Sequence, residues 1–151
     1  MSIEKDIQQV RFVSNRQKAM INILFTYGWV IEKIKNFLAK EDITHQQFNI
    51  LRILRGSFPQ PLSTLQIRER MLDKMSDTSR IVDRLVLKGL VKKTVCATDK
   101  RLVDVLITEK GQKLLKKLDV EGDHVSEIMG SLSENDAEML SSLLDRLRGS
   151  E

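Results

Sequence analysis

The chain is poor in the residues that hold small proteins together covalently or through a metal. Cys96 is the single cysteine among 151 residues, which excludes a disulfide framework within the chain and fits a reducing compartment. The only histidines, His45 and His124, lie far apart in sequence, and neither has a cysteine or carboxylate at ligand spacing. Aromatic residues make up 5%, with 2 prolines and 7 glycines, a balance that disfavours a β-sandwich and favours helices. No apolar run approaches the ~18 residues of a membrane span. The opening stretch Met1-Ser2-Ile3-Glu4-Lys5-Asp6 lacks the basic segment and apolar core of a signal peptide. The expectation is a soluble cytoplasmic protein with no membrane partner. Neither a Gly-rich phosphate loop nor Gly-x-Ser-x-Gly occurs, so the sequence points away from an enzyme and calls for no cofactor.

What remains is an ordinary globular composition, 41% hydrophobic and 30% charged, in a chain long enough to bury roughly 70% of its unfolded surface as one domain. The formal net charge of +4 is a weak hint of a polyanionic partner. Its distribution is more informative: residues 1–43 carry +2, residues 44–111 carry +6 and residues 112–151 carry −4. The cationic middle is flanked by segments of different character.

Along residues 6–40 there is no proline, and Met20, Leu24, Tyr27, Ile31, Ile34 and Leu38 recur at steps of three and four. This spacing predicts a broad apolar face on a long helix, with Ser14-Asn15 or Gly28 as places to bend it. Thr44-His45-Gln46-Gln47 reads as a capping box, opening a helix with Phe48, Leu51 and Leu54 on one side and an end at Gly56. Pro59 and Pro61 then enforce a turn. Ser63-Thr64-Leu65-Gln66 is a second capping box, starting a short helix to about residue 71. After Leu72-Asp73-Lys74 another helix is expected over about 75–88, closed by Gly89, with Ile81, Val82 and Leu85 inward. Two short helices joined by about three residues form a helix-turn-helix.

The period then changes from helical to alternating. Residues 90–96 and 102–108 are rich in Val, Ile, Leu and Thr, and the polar stretch Ala97-Thr98-Asp99-Lys100-Arg101 separates them. These segments predict a β-hairpin with a charged tip. A helix follows Thr108, with Leu114, Leu118, Val125, Ile128 and Leu132 at helical spacing. Ser133-Glu134-Asn135-Asp136 resembles a capping box before a last helix carrying Leu140, Leu143, Leu144 and Leu147. The fold class is mainly α with a small β-hairpin wing. It is a winged helix-turn-helix core (44–111) flanked by an N-terminal helix (1–40) and C-terminal helices (112–151), in one compact chain.

Gly89-Leu90-Val91, Asp99-Lys100-Arg101 and Leu106-Ile107-Thr108-Glu109-Lys110-Gly111 resemble the wing region of MarR-family transcriptional regulators, in register and without a gap. Ser79-Arg80-Ile81-Val82-Asp83-Arg84-Leu85 resembles the recognition helix of that family, and the likeness covers about residues 44–115. Leu72-Asp73-Lys74 departs from the usual small and β-branched residues of the turn, which leaves the start of the recognition helix open by a residue or two. Thr78 stands at a usually apolar position, and Lys93 where the family commonly has arginine.

The resemblance implies a sequence-specific regulator, a repressor, that binds double-stranded DNA as a homodimer on a pseudo-palindromic operator. Ser76, Asp77, Ser79, Arg80 and Arg84 would meet the major groove, where Ser and Asp can read base edges and Arg can grip guanine in two places. Asp99, Lys100 and Arg101 would form the wing contact, Arg101 entering a minor groove and Asp99 orienting it. The plainer reading of the same residues is helix capping, internal ion pairs and a solvated hairpin tip. Lys92, Lys93, Arg52, Arg55, Arg68 and Arg70 are candidates for backbone phosphates. The family pairs the first helix with the last two across the two-fold, which makes residues 7–23 and 132–147 the dimer candidates. It also implies a small aromatic or phenolic effector held between the two parts. Peroxide-sensing relatives carry their cysteine near the N-terminal helix, so Cys96 reads as a small strand residue. The alternative function is a winged-helix module for protein–protein contact, against which the polar recognition helix and charged wing argue.

Overall fold

A computed structural model describes residues 2–149; Met1, Ser150 and Glu151, at the limits of the outer segments, lie outside the described residues. The order is α1 (Ile3–Asp6), α2 (Asn15–Leu38), a 3-10 turn (Ala39–Glu41), α3 (His45–Ser57), β1 (Leu62–Ser63), α4 (Thr64–Arg70), α5 (Thr78–Leu87), β2 (Val91–Val95), β3 (Val103–Ile107), α6 (Glu109–Glu121), α7 (His124–Met129) and α8 (Glu134–Leu147).

Helix starts follow their caps. The Thr44 hydroxyl accepts from the Gln47 amide at 3.1 Å, while the Gln47 side chain accepts from Thr44 N–H at 3.0 Å. The reciprocal pairs Ser63/Gln66 and Ser133/Asp136 open α4 and α8. Ser14 caps α2, so the expected long first helix breaks before it, and Gly28 lies inside an unbroken α2. The expected continuous helix after Thr108 is divided as well. Asp123 accepts from Ser126 N–H at 3.1 Å and starts α7 anew, directly after Gly122.

The sheet has three strands rather than the two of the expected hairpin. β3 pairs antiparallel with β2 along Val91↔Ile107 to Val95↔Val103, and its other edge takes β1 through Leu62↔Val105 and Ser63↔Asp104. The core fills the space between this sheet and the helices, with Leu38, Ile50, Leu51, Ile67, Val82, Leu85, Val105 and Leu115 at 0% exposure. A fully buried Leu or Ile of this kind contributes roughly 1.5–3 kcal/mol.

The junction of α5, wing and α6 explains two of the sequence elements together. Gly89, with φ 72°, ends α5 in the left-handed region; its N–H donates to Val86 O and Leu90 N–H to Leu85 O. The Thr108 hydroxyl donates to Gly89 O at 2.7 Å and accepts from Gly111 N–H at 3.1 Å. A Cβ on Gly111 would lie 2.3 Å from Leu90 O, so only glycine lets α6 begin this close to the strand. Gly89-Leu90-Val91 and Thr108-Glu109-Lys110-Gly111 thus lock one another.

Candidate nucleic-acid interface

The recognition helix is shorter than the sequence suggested, and Ser76 and Asp77 lie outside it. Residues 71–77 form the turn: Asp73 Oδ1 accepts from Met75 N–H at 3.0 Å, and Asp73 O accepts from Ser76 N–H at 3.3 Å. These bonds compete with helix formation, as short polar side chains do. Asp77 caps α5 by accepting from Arg80 N–H at 3.2 Å, which puts Thr78 first and Ser79 second in the helix. Thr78 turns inward, 3% exposed, in keeping with the apolar character usual at that position. Ser79, Arg80, Asp83 and Arg84 face solvent, while Val82 and Leu85 hold the opposite face in the core.

The cations of the middle segment divide into engaged and free. Lys93 Nζ donates to Asp83 Oδ1 at 2.7 Å, tying β2 of the wing to the recognition helix. Arg55 pairs with Asp119 of α6 at 2.5 Å, and Lys88 pairs with Asp42. Arg52 lies over the Phe48 ring, 5.6 Å from its centroid. Arg84, Lys92, Lys100, Arg68 and Arg70 are exposed and form no ion pair among the described residues. Arg80 meets only its neighbour Asp77, at 3.7 Å.

At the wing tip Arg101 is ordered by Asp99, whose Oδ1 accepts from the Arg101 backbone N–H at 3.0 Å and from Nε at 3.2 Å. These bonds, the backbone one foremost, hold the Asp99 carboxyl below its ordinary range. The Arg101 side chain nevertheless stays 91% exposed. Cys96 lies just past β2 with Sγ 3.2 Å from Thr98 Oγ1, and this contact lowers its thiol.

Sequence reasoning missed a cavity of about 640 Å³ on the side of α2 and α3. Tyr27, Val30, Ile31 and Ile34 of α2 form one wall, and His45, Phe48, Asn49 and Arg52 of α3 another; Met71, Leu72, Asp73, Lys74 and His124 complete it. Both histidines therefore line one site. His124 stacks on Phe37 at 4.7 Å and meets Phe48 edge-on at 6.0 Å. His45, read from sequence as a surface residue of a capping turn, is half-buried; burial first and Lys35 second push its pKa down, against Asp73. Asn49 Oδ1 accepts from Leu72 N–H at 2.9 Å, so a cavity wall also holds the turn before the recognition helix.

The MarR family profile matches residues 43–103, the span of α3 to the wing. The chain is 30% identical over 133 residues to the HTH-type transcriptional regulator MhqR of Bacillus subtilis (strain 168), covering 86% of this chain and 89% of that protein. The chain belongs to the MarR family. A MarR transcription factor from Planctomyces limnophilus is similar in structure, with a TM-score of 0.67 at 31% identity over 89% of this chain and 98% of that one. A variant of MarR from E. coli complexed with operator DNA shares the fold, with a TM-score of 0.76 at 21% identity over 97% and 99% of the two chains. As in other MarR-family structures, the centre is a winged helix-turn-helix: α4 and α5 are its two helices and β2–β3 its wing. Among the described residues no helix is long and apolar enough to cross a membrane.

Proposed function

We propose that this MarR-family chain is a homodimeric repressor that binds a pseudo-palindromic operator in double-stranded DNA. The observation that carries the reading is the wing arginine. Arg101 is held in direction by Asp99 yet remains 91% exposed, and the Asp83–Lys93 bond links the wing to the recognition helix. A pre-ordered, unburied guanidinium suits insertion into a narrow minor groove, because little side-chain freedom remains to be lost. Ser79, Arg80 and Arg84 would face the major groove, with Ser76 and Asp77 approaching it from the turn and cap, and Lys100 would meet phosphates.

The uncovered apolar faces support the dimer. Met20 and Leu24 on α2, Val13 just before it, and Met139, Leu143 and Leu147 on α8 are more than half exposed in the single chain. Two such faces from one protomer meeting the same two of its partner would cover both. The cavity between α2, α3 and the turn fits a small aromatic or phenolic effector. Its walls supply stacking surfaces in Tyr27, Phe48 and His124 and a cation in Arg52.

The test is a DNA titration across salt concentrations. Wild type binds with a steep fall of log K against log salt, and footprinting finds half-sites about one helical turn apart. Arg101→Ala weakens operator binding by about 1–3 kcal/mol without unfolding the protein. A flat salt response on every duplex would sink the regulator reading.

A further inference from the structure

Met71 and Thr78, on either side of the turn that delivers the recognition helix, are buried, but residues 72–77 between them bury no side chain. Leu72 and Met75 stand almost fully in solvent. Packing therefore does not hold this turn. Most of its hydrogen bonds are local: Asp73 accepts from the Met75 and Ser76 N–H groups, Asp77 from Arg80 N–H, and Lys74 Nζ donates to Glu69 O. One bond is of another kind. Leu72 N–H donates to Asn49 Oδ1 of α3 at 2.9 Å, across 23 positions of sequence. Among the described residues it is the single hydrogen bond that joins residues 72–77 to a distant part of the chain.

Asn49 also lines the large cavity, in the row His45, Asn49 and Arg52 that α3 sets along one wall. A side-chain amide offers an acceptor oxygen and two donor hydrogens. Here Oδ1 carries the turn, while Nδ2 has no partner among the described residues. We propose that Asn49 is a positioning residue that latches the turn before the recognition helix, and that a phenolic occupant of the cavity opens the latch by donating its hydroxyl to Asn49 Oδ1 in place of Leu72 N–H. The proposal rests on the effector reading above and goes beyond it: it names the atom on which the occupant acts. It also places the response within one protomer, without movement of the two protomers against each other. The exchange is nearly balanced, because one hydrogen bond replaces another and the exposed Leu72 N–H passes to water. Burial of the ring against Tyr27, Phe48 and His124 tips it. With Leu72 released, the turn keeps only its local bonds, and α5 loses part of the pre-organisation that DNA binding draws on. An occupant shifts this equilibrium only through its different affinity for the latched and open turn, so removing the Asn49 amide removes the difference.

Amide hydrogen exchange and DNA titration test the latch together. The probes are phenol and anisole, one ring with and without a hydroxyl donor, and the tightest duplex selected from a random library. In wild type the Leu72 amide is protected; saturating phenol speeds its exchange, and anisole does not. N49A speeds it roughly tenfold without any phenol, while the Val82 and Leu85 amides of α5 stay protected. N49D keeps an acceptor in place and restores the protection. DNA binding by N49A is roughly fivefold weaker, the size of one net hydrogen bond. The deciding quantity is the ratio of DNA affinities with and without phenol. It falls below one in wild type and returns to one in N49A, an effect that a merely structural asparagine would not have. Equal phenol ratios in wild type and N49A, an anisole effect as large as that of phenol, or unchanged Leu72 exchange in N49A overturns the latch and leaves the effector reading standing. Wild-type DNA binding indifferent to phenol overturns both.

Discussion

From Ile43 to Leu118 the chain closes a core around α3, α5 and β3, in which Ile50, Leu51 and Leu85 are wholly hidden. The flanking arms are built from the same residue types and hide almost nothing: Leu38, at the far end, is the single buried residue of α2, and α8 has none. The difference does not lie in helix quality, since α8 opens on a capping box as α3 does and α2 carries a side-chain N-cap at Ser14. It lies in what each apolar face meets. The middle is complete within one chain, whereas the arms have the pattern of a core with half its atoms missing.

Four substitutions test that contrast, from the greatest expected effect downward. Leu51→Ala opens a cavity in the closed half and lowers unfolding free energy by about 2–5 kcal/mol; a denaturation midpoint unchanged from wild type would mean that this core is not the stable unit. Leu143→Glu places a charge on the open face of α8, where the single chain loses little. Its expected result is a halved mass in sedimentation with the far-ultraviolet spectrum kept, and an intact dimer would remove α8 from the interface. Asp99→Ala removes the acceptors that hold the wing arginine without deleting the guanidinium, so DNA affinity falls, but by less than with Arg101→Ala. Equal affinity of Asp99→Ala and wild type in the same titration would show that Arg101 needs no guide.

The smallest effect concerns His45. Its pKa is depressed below 6.5 chiefly by burial, so just below that pH the unfolded chain binds more protons than the folded one. Stability therefore falls as pH drops through the region under 6.5, and it is fully present above. His45→Gln should flatten this part of a thermal-midpoint profile, and a slope identical to wild type would assign it to another group.

The parts legible in the sequence were those whose cause is local. Capping boxes at Thr44, Ser63 and Ser133 are written in four consecutive residues, and all three form. The wing strands are legible because alternation needs only its own residues, as at Val103, Val105 and Ile107. β1 was not legible, since two residues become a strand only by pairing with β3 some forty positions later. The break before α7 had a local signal, Gly122-Asp123, which the apolar spacing from Leu114 to Leu132 masked. The turn of residues 71–77 is not legible in the periodicity, because Asp73 holds the Met75 amide in a turn and Asp77 takes the Arg80 amide that a helix begun at Met75 would bond to Ser76 O. The convergence of His45 and His124 on one cavity is a product of tertiary packing alone, without any periodicity to announce it.

α2 joins the two regimes in one piece. It is a single helix of 24 residues, about 36 Å long, with its uncovered faces toward one end and Leu38 set in the core at the other. In the proposed dimer it acts as a lever arm with its fulcrum at the two-fold. A tilt of about 5° there sweeps the far end, and the reading head attached to it, through roughly 3 Å. That arc is close to the ~3.4 Å between successive bases along a strand. Small angular play at the junction of the protomers is thereby amplified into a full step of misregister between the two half-sites.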